Sequence, residues 1–396
     1  MMRRTILIGV VLAAACGEPV PDGAISVQVD TTDDGTLVVT SESPGEDPRV
    51  PWSVDPAGAL LIGTVDGPDE TRFGRTGAVA VGPDGQVFVP DGQAQTVRVF
   101  DVAGEYLRSI GRPGEGPGEF RSLDGVLVTD GEILTRDPML NRISRFDREG
   151  RFVDSFLMER PFAQFSRQAS FWIDSAGSVY DFTHVGTTMA VDSLAVVYYE
   201  PGGRVDTVVT HSAEPRRLLL RDAEGEPQAA AQVPFAAFGR ATVSGSGLVF
   251  AGSGAEYEIT VHEGSSIVRR IRKVEAAQPV PDWAPDTVGV VIRRLSEDFP
   301  GGSVDRDELP QSQPYFNGLV VDAMGYLWVP RQGLTQTPAS RYDIFAPSGA
   351  FIGFVELPEM IVDQVGEVFI AGRTRDDLGV ERVLVLALDR TEASDR

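Results

Sequence analysis

The sequence predicts an all-β fold: one six-bladed β-propeller that is closed by an N-terminal outer strand and carries one short helical insert. Three observations predict it. A unit of four short apolar strands recurs six times, glycine and aspartate mark the turns, and the sixth unit lacks a fourth strand that an upstream segment can supply. Hydrophobic residues make up 42% of the chain, which is typical of a globular domain with a substantial core.

The first unit shows the repeat most clearly. Its four strands are predicted at residues 77–81, 86–89, 96–100 and 105–110. Gly85 and Gly104 stand in the two tight turns, where glycine is favoured because a positive φ costs it little. The second unit repeats the pattern between residues 125 and 153. These two units define the spacing by which the looser units are recognised.

The remaining units follow the same order with less regular spacing. Their first strands are predicted to begin at residues 171, 240, 318 and 360. The last unit has three strands, and residues 59–65 are the candidate for its fourth. Pairing this segment with the last unit would close the ring and cover two sheet edges that otherwise invite aggregation.

Three short motifs carry a resemblance to a known family. They are Phe100-Asp101-x-x-Gly104, the loop at residues 111–120 and Asn141-Arg142-Ile143. With them the chain resembles the NHL-repeat six-bladed β-propellers, a group that includes exported bacterial lipoproteins. The resemblance spans about residues 59–390 and is carried by motifs in the first two blades and by the strand pattern in the other four. It implies the same fold that the repeat predicts.

Two segments are longer than a minimal ring requires. Residues 214–238 connect the third and fourth units, and residues 275–314 connect the fourth and fifth. Within the second segment, the near-helical spacing of apolar residues predicts a short amphipathic helix at 286–299. Long inserts in compact domains are usually functional or disordered, so both segments are candidates for the working surface.

The first residues of the chain predict export. Arg3 and Arg4 precede an apolar run, and three alanines stand immediately before Cys16, the only cysteine. This order resembles a bacterial lipoprotein signal, which implies lipidation of Cys16. The alternative is an ordinary cleaved secretory signal with Cys16 as a free thiol. Gly17 stands where an aspartate often retains lipoproteins at the inner membrane, so we expect a lipid-anchored protein of the cell envelope, in the outer membrane where there is one.

The expected domain organisation has three parts. They are a signal peptide at residues 1–15, a flexible tether at residues 16–50 and the propeller at residues 51–392, with its insert at about 275–314. The tether is rich in glycine, proline, aspartate, threonine and serine and has little core material. Within it, residues 25–29 and 37–39 are apolar enough to form short strands.

Charge excludes several kinds of partner. The formal net charge is −23, and Lys273 is the only lysine. Nucleic acid is not expected as a partner, because its affinity comes largely from Lys and Arg side chains that neutralise phosphates. A polybasic membrane patch is not expected either, so membrane contact would be made through the lipid anchor only. A single cysteine forms no intrachain disulfide, so packing must stabilise the exported fold.

The chain has no complete motif for catalysis or nucleotide binding. Residues 111–120 are glycine-rich, but they lack the Gly-Lys-Ser/Thr ending and the following helix of a phosphate-binding loop. His184, His211 and His262 are the only histidines, and no local spacing brings them together as zinc ligands. A serine nucleophile would be expected in a Gly-x-Ser-x-Gly elbow, which is absent from the sequence. No cofactor is therefore expected, apart from calcium under the alternative function below.

The best candidates for a binding site end the second strand of each unit. They are Asp91, Asp137, Asp181, the pair Gly252 and Ser253, Arg331 and Arg373. Their shared repeat position predicts that they surround the channel mouth on one face, where propeller ligands often bind, with the 111–120 loop on the same side. Arg331 and Arg373 are expected to meet an anionic or carbonyl-bearing ligand. The alternative for Asp91 and Asp137 is that each caps the loop that follows it.

Two functions of different classes are compatible with this pattern. The favoured one is a cell-envelope binding module that recognises a protein, peptide or glycan on the loop face. The alternative is a calcium-dependent hydrolase or lyase, which the likeness to lactonase-type and amidating-lyase propellers implies. Calcium needs about six to eight oxygen ligands, so converging carboxylate and amide oxygens would favour the enzyme, and arginines filling that space would favour binding. The Asp-x-x-Gly segments at 322–325 and 363–366 are interpreted as turns rather than calcium loops.

Overall fold

The fold is a six-bladed β-propeller, as the sequence predicts. The computed structural model describes residues 24–158, 171–186, 191–200, 205–212, 217–222, 224–232, 235–280, 289–290, 293–294, 297, 303–304, 310–331 and 340–391. Every structural statement below concerns these residues. The first strand of each blade contacts the first strand of the next, and the sixth contacts the first, so the ring is complete. No helix in the described residues is long and apolar enough to span a bilayer.

Three strands precede the first blade, and blades 1 and 2 then follow as four-stranded antiparallel sheets. The preceding strands are β1 (Ser26–Thr31), β2 (Leu37–Glu42) and β3 (Ser53–Ile62), followed by a 3₁₀ turn at Asp69–Thr71. Blade 1 contains β4 (Ala80–Val81), β5 (Val87–Asp91), β6 (Thr96–Phe100) and β7 (Tyr106–Ile110). The connecting loop contains β8 (Arg112–Pro113) and β9 (Glu119–Phe120). Blade 2 contains β10 (Gly125–Val128), β11 (Glu132–Asp137), β12 (Arg142–Asp147) and β13 (Phe152–Leu157).

Blades 3 and 4 are separated by the first long insert. Blade 3 contains β14 (Phe171–Ile173), β15 (Val179–Gly186), β16 (Val191–Tyr199) and β17 (Val205–Ser212). The insert contains β18 (Arg217–Arg221) and β19 (Pro227–Gln232). Blade 4 contains β20 (Arg240–Val243), β21 (Val249–Gly252), β22 (Glu258–Glu263) and β23 (Ser266–Val274).

The second long insert and the last two blades complete the ring. The insert contains β24 (Ser303–Val304). Blade 5 contains β25 (Val320–Val321), β26 (Leu327–Pro330), β27 (Arg341–Phe345) and β28 (Phe351–Glu356). Blade 6 contains β29 (Ile361–Val365), β30 (Phe369–Arg375) and β31 (Glu381–Asp389).

The N-terminal strand closes the ring as predicted. Strand β3 pairs antiparallel with β31 and becomes the outer strand of blade 6. The strand begins at Ser53, earlier than the predicted residues 59–65, because a bulge between Asp55 and Leu60 lets the pairing continue. The closing strand therefore joins the first and last strands of the ring in one sheet.

Residues 24–50, which the sequence assigns to a flexible tether, are instead ordered against the rim of the propeller. Strands β1 and β2 form a hairpin, and β2 pairs in parallel with β23, so the sheet of blade 4 has six strands. The chain then crosses to blade 5, where Val50 N donates to Phe354 O at 3.0 Å. We call residues 24–50 the strap. Buried Val38 and Val39 supply the apolar contact that a true linker lacks. Cys16 and the predicted signal lie outside the described residues.

The two long inserts meet. Strand β24 of the second insert pairs with β18 of the first, and β19 completes a three-stranded sheet. Leu220 of this sheet is fully buried. Residues 289–290, 293–294 and 297 are α-helical, and the remainder of the predicted helix lies outside the described residues.

The core of the propeller is divided among the interfaces between blades. Six apolar clusters of described residues are found, one between each pair of neighbouring blades. The glycine-rich loop takes part, because Phe120 is buried between blades 1 and 2. A Cβ at Gly111 would lie 2.1 Å from the ring of Phe120, and φ of Gly111 is 76°, so both space and backbone conformation require glycine.

Strand direction defines two faces. We call the face at which the second strands end and the third strands begin the upper face. Both long inserts and the 111–120 loop connect strands at this face, because the fourth strand of each blade ends there and the next first strand begins there. The turns between first and second strands and between third and fourth strands lie at the lower face.

Candidate functional site

The central channel is narrow and mainly aliphatic. The first strands of all six blades enclose a cavity of about 210 Å³, lined by residues such as Val79, Leu127, Ile173, Val243 and Val365. Ligand pockets usually measure about 300–1,000 Å³. The cavity is therefore smaller than a typical ligand site, and the functional residues have to be sought at its upper mouth and on the upper face.

Asp91 and Asp137 lie at the predicted place, but they cap loops. Asp91 Oδ1 accepts hydrogen bonds from the backbone N–H groups of residues 93 and 94, at 2.9 and 3.0 Å. Asp137 Oδ1 accepts from residues 139 and 140 in the same way, and its Oδ2 accepts from residues 121 and 122 of the segment that follows the glycine-rich loop. Each side chain is 1% exposed. The capping interpretation is therefore correct for both residues.

Asp181 is the centre of a buried ion pair. Arg136 Nε donates to Asp181 Oδ1 at 2.7 Å, and Arg136 Nη1 donates to Asp124 Oδ2 at 2.6 Å. Both Arg136 and Asp181 are 1% exposed. The prediction that Asp181 ends its strand is wrong, because β15 continues to Gly186. Asp181 is thus a strand residue that neutralises an arginine of the neighbouring blade.

The two carboxyl groups around Arg136 are unusually easy to protonate. Burial raises the pKa of Asp124 to about 6, although Arg136 opposes the shift. Burial also raises the pKa of Asp181 against the same opposition. Asp124 Oδ1 and Asp181 Oδ2 are buried and have no hydrogen-bond partner among the described residues. One guanidinium therefore holds two carboxylates without satisfying either of them fully.

Arg373 is also held inside the blade. Its Nε and Nη2 form two hydrogen bonds of 2.8 Å with the carboxylate of Asp363, and Nη1 donates to Thr76 O at 3.1 Å. Burial tends to lower the pKa of Arg373, but the charge and hydrogen bonds of Asp363 raise it above its usual value. Asp363 was expected to begin a turn; it lies within β29, because a bulge lengthens that strand. Strand β30 extends to Arg375, so Arg373 does not end its strand either.

Arg331 belongs to a buried ion cluster between blades 4 and 5. We call it the Lys273 cluster, and its members are Asp47, Tyr257, Lys273, Glu275, Arg331, Arg341 and Asp343. Arg331 Nη1 donates to Glu275 Oε2 at 2.8 Å and to Asp343 Oδ2 at 3.2 Å. Burial tends to lower the pKa of Arg331, but hydrogen bonding to Glu275 and the neighbouring negative charges raise it. The Arg331 side chain is 17% exposed, so most of it is unavailable to a ligand.

Lys273 occupies the middle of this cluster. Its Nζ lies 2.7 Å from Asp47, 2.8 Å from Asp343 and 3.1 Å from Glu275, and its side chain is 2% exposed. The same Nζ lies 4.2 Å from the ring centroid of Phe351. The three carboxylates are close enough together to suit a metal ion. An ammonium group already supplies the positive charge there, so these residues do not fit a calcium site.

The five predicted site residues therefore do not form an open ring. Asp91 and Asp137 end their strands and Arg331 directly follows β26, whereas Asp181 and Arg373 lie inside longer strands. All five are engaged by neighbouring groups. Sequence reasoning missed the partners of three of them: Arg136 holds Asp181, Asp363 holds Arg373, and Asp343 holds Arg331. It also missed Asp124 and Lys273, which pair with Arg136 and Asp343. A signal was available for Arg136 and Asp343, because a charge in the interior of an apolar strand needs a buried partner.

The upper end of blade 4 carries an arginine that has no carboxylate partner among the described residues. Arg240 begins β20, and its Nε donates to Asn317 O in blade 5 at 2.5 Å. Its guanidinium carbon lies 5.0 Å from the ring centroid of Phe238. Burial lowers the pKa of Arg240 to about 10, with no carboxylate opposing the shift. Also at the upper face, an open groove of about 570 Å³ lies between strap residues 42–47 and residues 273–276.

Comparison with known proteins shows the fold. A family model, DUF5128, described as a 6-bladed beta-propeller, matches residues 66–175. No curated protein matches the sequence. The structure is similar to that of a candidate exported protein from Bacteroides fragilis, which is 13% identical, with a TM-score of 0.51 and coverage of 89% of this chain and 99% of that one.

Two further structures extend the comparison. A DUF4221 family member from Bacteroides vulgatus is 10% identical, with a TM-score of 0.51 and coverage of 86% of this chain and 99% of that chain. Virginiamycin B lyase from Staphylococcus aureus is 11% identical, with a TM-score of 0.41 and coverage of 85% and 99%. At these identities the similarities concern the fold and do not assign an activity.

Proposed function

We propose that the protein is an NHL-type, exported and lipid-anchored module of the cell envelope that binds a protein, peptide or glycan on its upper face. One observation carries the proposal: carboxylates of the ring at the upper face already have basic side chains as partners. Arg136 and Arg373 fill this role at the channel mouth, and Lys273 fills it between blades 4 and 5. Basic groups thus stand where a calcium-dependent enzyme would need free oxygen ligands.

The volumes of the channel cavity and of the groove beside the strap also favour a binding module over an enzyme. The channel cavity of about 210 Å³ is small and mainly aliphatic, whereas the groove beside the strap, about 570 Å³, falls within the usual range for a ligand site. The inserts that precede and follow blade 4 at the upper face pair with each other in a three-stranded sheet. An open groove of this size beside an insert suits recognition of an extended partner better than chemistry on a small substrate.

The proposal is tested with the mature protein on peptide and glycan arrays. We expect binding that is lost when residues 217–232 of the upper-face hairpin are replaced by a short Gly-Ser linker. Binding should be retained in Val102→Ser, a matched control in a lower-face turn where the side chain is 69% exposed. We also expect the melting temperature to be the same in calcium and in EGTA. A rise in calcium, or lactone hydrolysis that depends on it, would contradict the proposal, because a ligand of the native state raises its stability.

Anchoring is tested separately through Cys16. We expect the full-length protein to sediment with membranes and Cys16→Ser to accumulate as an unprocessed precursor or a soluble form, because the thiol is the site of lipid attachment. Mass spectrometry of the mature N-terminus provides the readout. A soluble mature protein that begins at a residue other than Cys16 would show that the chain carries an ordinary secretory signal.

A further inference from the structure

Arg240 stands out among the arginines at the upper end of the channel. Arg136 is paired with Asp124 and Asp181, and Arg373 is paired with Asp363. Arg240 has a backbone carbonyl and an aromatic ring as its contacts, and its two Nη atoms form no hydrogen bond or ion pair within the described part of the chain. These two Nη groups are the end of the guanidinium that forms a planar fork of donors.

The surroundings of Arg240 leave its charge without compensation. The residue is only partly exposed, so water does not fully solvate the guanidinium. Its cross-strand partner on β21 is Gly252, which brings no side chain to the pair. Asn317, whose carbonyl accepts the Nε–H, has a side-chain amide that forms no hydrogen bond with the described residues. Free donors are therefore concentrated at the upper ends of blades 4 and 5.

We propose that Arg240 is the anchor for a carboxylate group of the ligand, which the Nη fork binds in a bidentate manner with Asn317 as an additional donor. This inference deepens the proposed binding function and rests on it. A carboxylate fits better than a phosphate monoester for two reasons. One unpaired guanidinium balances a single negative charge, whereas a phosphate monoester carries about −1.5 to −2. The net charge of −23 also penalises each additional negative charge on the ligand.

Side-chain modification with phenylglyoxal tests the site without knowledge of the natural ligand. The reagent attacks the neutral guanidine, so the lowered pKa of Arg240 makes it reactive. Peptide mapping by mass spectrometry follows each arginine while glucuronate is titrated against sodium chloride of equal ionic strength. We expect glucuronate at about twice its Kd to slow modification of Arg240 about threefold, because occupancy protects in proportion to 1 + [L]/Kd. Inorganic phosphate should protect less.

Arg269 is the matched control. It also donates to a backbone carbonyl, Pro347 O at 2.6 Å, and burial also lowers its pKa, but it lies on the fourth strand of blade 4 beside a lower-face turn. We expect Arg269 to react and to remain unprotected. Equal protection of both arginines, equal protection by chloride, or an unreactive Arg240 would overturn the inference. Stronger protection by phosphate would overturn the assignment of a carboxylate.

A second variant separates this inference from the proposed function. Arg240→Lys keeps the charge but removes the planar fork, and we expect it to fold and to lose most of its array binding. Array binding that survives in Arg240→Lys would overturn the inference and leave the binding function intact. Protection of Arg240 by glucuronate in a protein that binds nothing on the arrays would support the carboxylate site and refute the proposed protein, peptide or glycan partner.

Discussion

A chain that begins at residue 63 is expected to aggregate or remain unfolded, whereas a chain that begins at residue 51 is expected to fold with a lower melting temperature. The first deletion removes β3 and leaves β31 as the open edge of blade 6. It also removes Ile62, which is 3% exposed and packs with Val79 and Val383 between blades 6 and 1. The second deletion removes the strap and keeps the ring closed.

The magnitudes explain why the two deletions differ. A buried aliphatic side chain such as Ile62 contributes about 1.5–3 kcal/mol, and each backbone hydrogen bond of the β3–β31 ladder contributes about 0.5–1.5 kcal/mol. Together these losses approach the whole free energy of unfolding of a typical domain, about 5–15 kcal/mol. Loss of the strap removes the pairing of β2 with β23 on a blade that still has its own four strands.

Urea denaturation and light scattering measure the outcome. We expect a cooperative transition at reduced urea for the chain that begins at residue 51, and scattering without a transition for the chain that begins at residue 63. Equal stability of the two shortened chains would show that β3 does not close the ring. Equal stability of the full mature protein and the chain that begins at residue 51 would show that residues 24–50 do not stabilise the propeller and act as the flexible tether that the sequence predicts.

The strands could be predicted from the sequence because their determinants are local. Apolar residues recur at short intervals and glycines stand at positive φ, as at Gly85 and Gly104, where φ is 78° and 82°. The missing fourth strand of the last unit also pointed correctly to the N-terminus. The two short strands of the strap were also indicated, at residues 25–29 and 37–39. Their docking on the propeller was missed because it depends on distant partners. Ser41 Oγ accepts a hydrogen bond from Phe351 N, and Asp47 meets Lys273.

The candidate site was harder to predict because its side chains also pair with residues that are distant in the sequence. The repeat indicates where a strand begins, but the length of a strand depends on its pairing, and β15 continues five residues beyond Asp181. The partner of Asp181 is Arg136, 45 residues away in another blade, and one sequence contains no pairing information of that range. The only lysine of the chain was a usable signal, because a lone Lys among arginines marks a position with its own steric and charge requirements.

Replacement of that lysine is the second prediction. We expect Lys273→Met to lower the free energy of unfolding by about 3–5 kcal/mol, because removal of one partner from a buried ion pair leaves the other charges uncompensated. Methionine keeps the length of the side chain and its contact with Phe351, so the loss is mainly that of the charge. Asp343, whose side chain is fully buried, would keep Arg331 and Arg341 as partners but lose its bond to the ammonium.

Arg49→Met is the matched control. Arg49 also ties the strap to the propeller through an ion pair, with Glu356 of β28, but the two side chains are 63% and 51% exposed. Exposed pairs contribute about 1 kcal/mol or less, so we expect little change in the urea midpoint. A loss in Lys273→Met that is no larger than the loss in Arg49→Met would show that the Lys273 cluster does not fasten the strap.

The pH dependence of stability distinguishes the role of the charge from simple packing. Burial tends to raise the pKa of Asp47, but the hydrogen bond and charge of Lys273 hold it below its usual value of 3.8. A carboxylate with a lowered pKa stabilises the native state at neutral pH, and this contribution is lost as the pH falls through the lowered value. Without Lys273 this contribution is smaller at neutral pH, because Ser43 and Arg341 alone remain to lower the pKa of Asp47. We therefore expect Lys273→Met to lose less stability than the wild type on acidification below about pH 4, and parallel pH profiles would show that the lysine acts through packing alone.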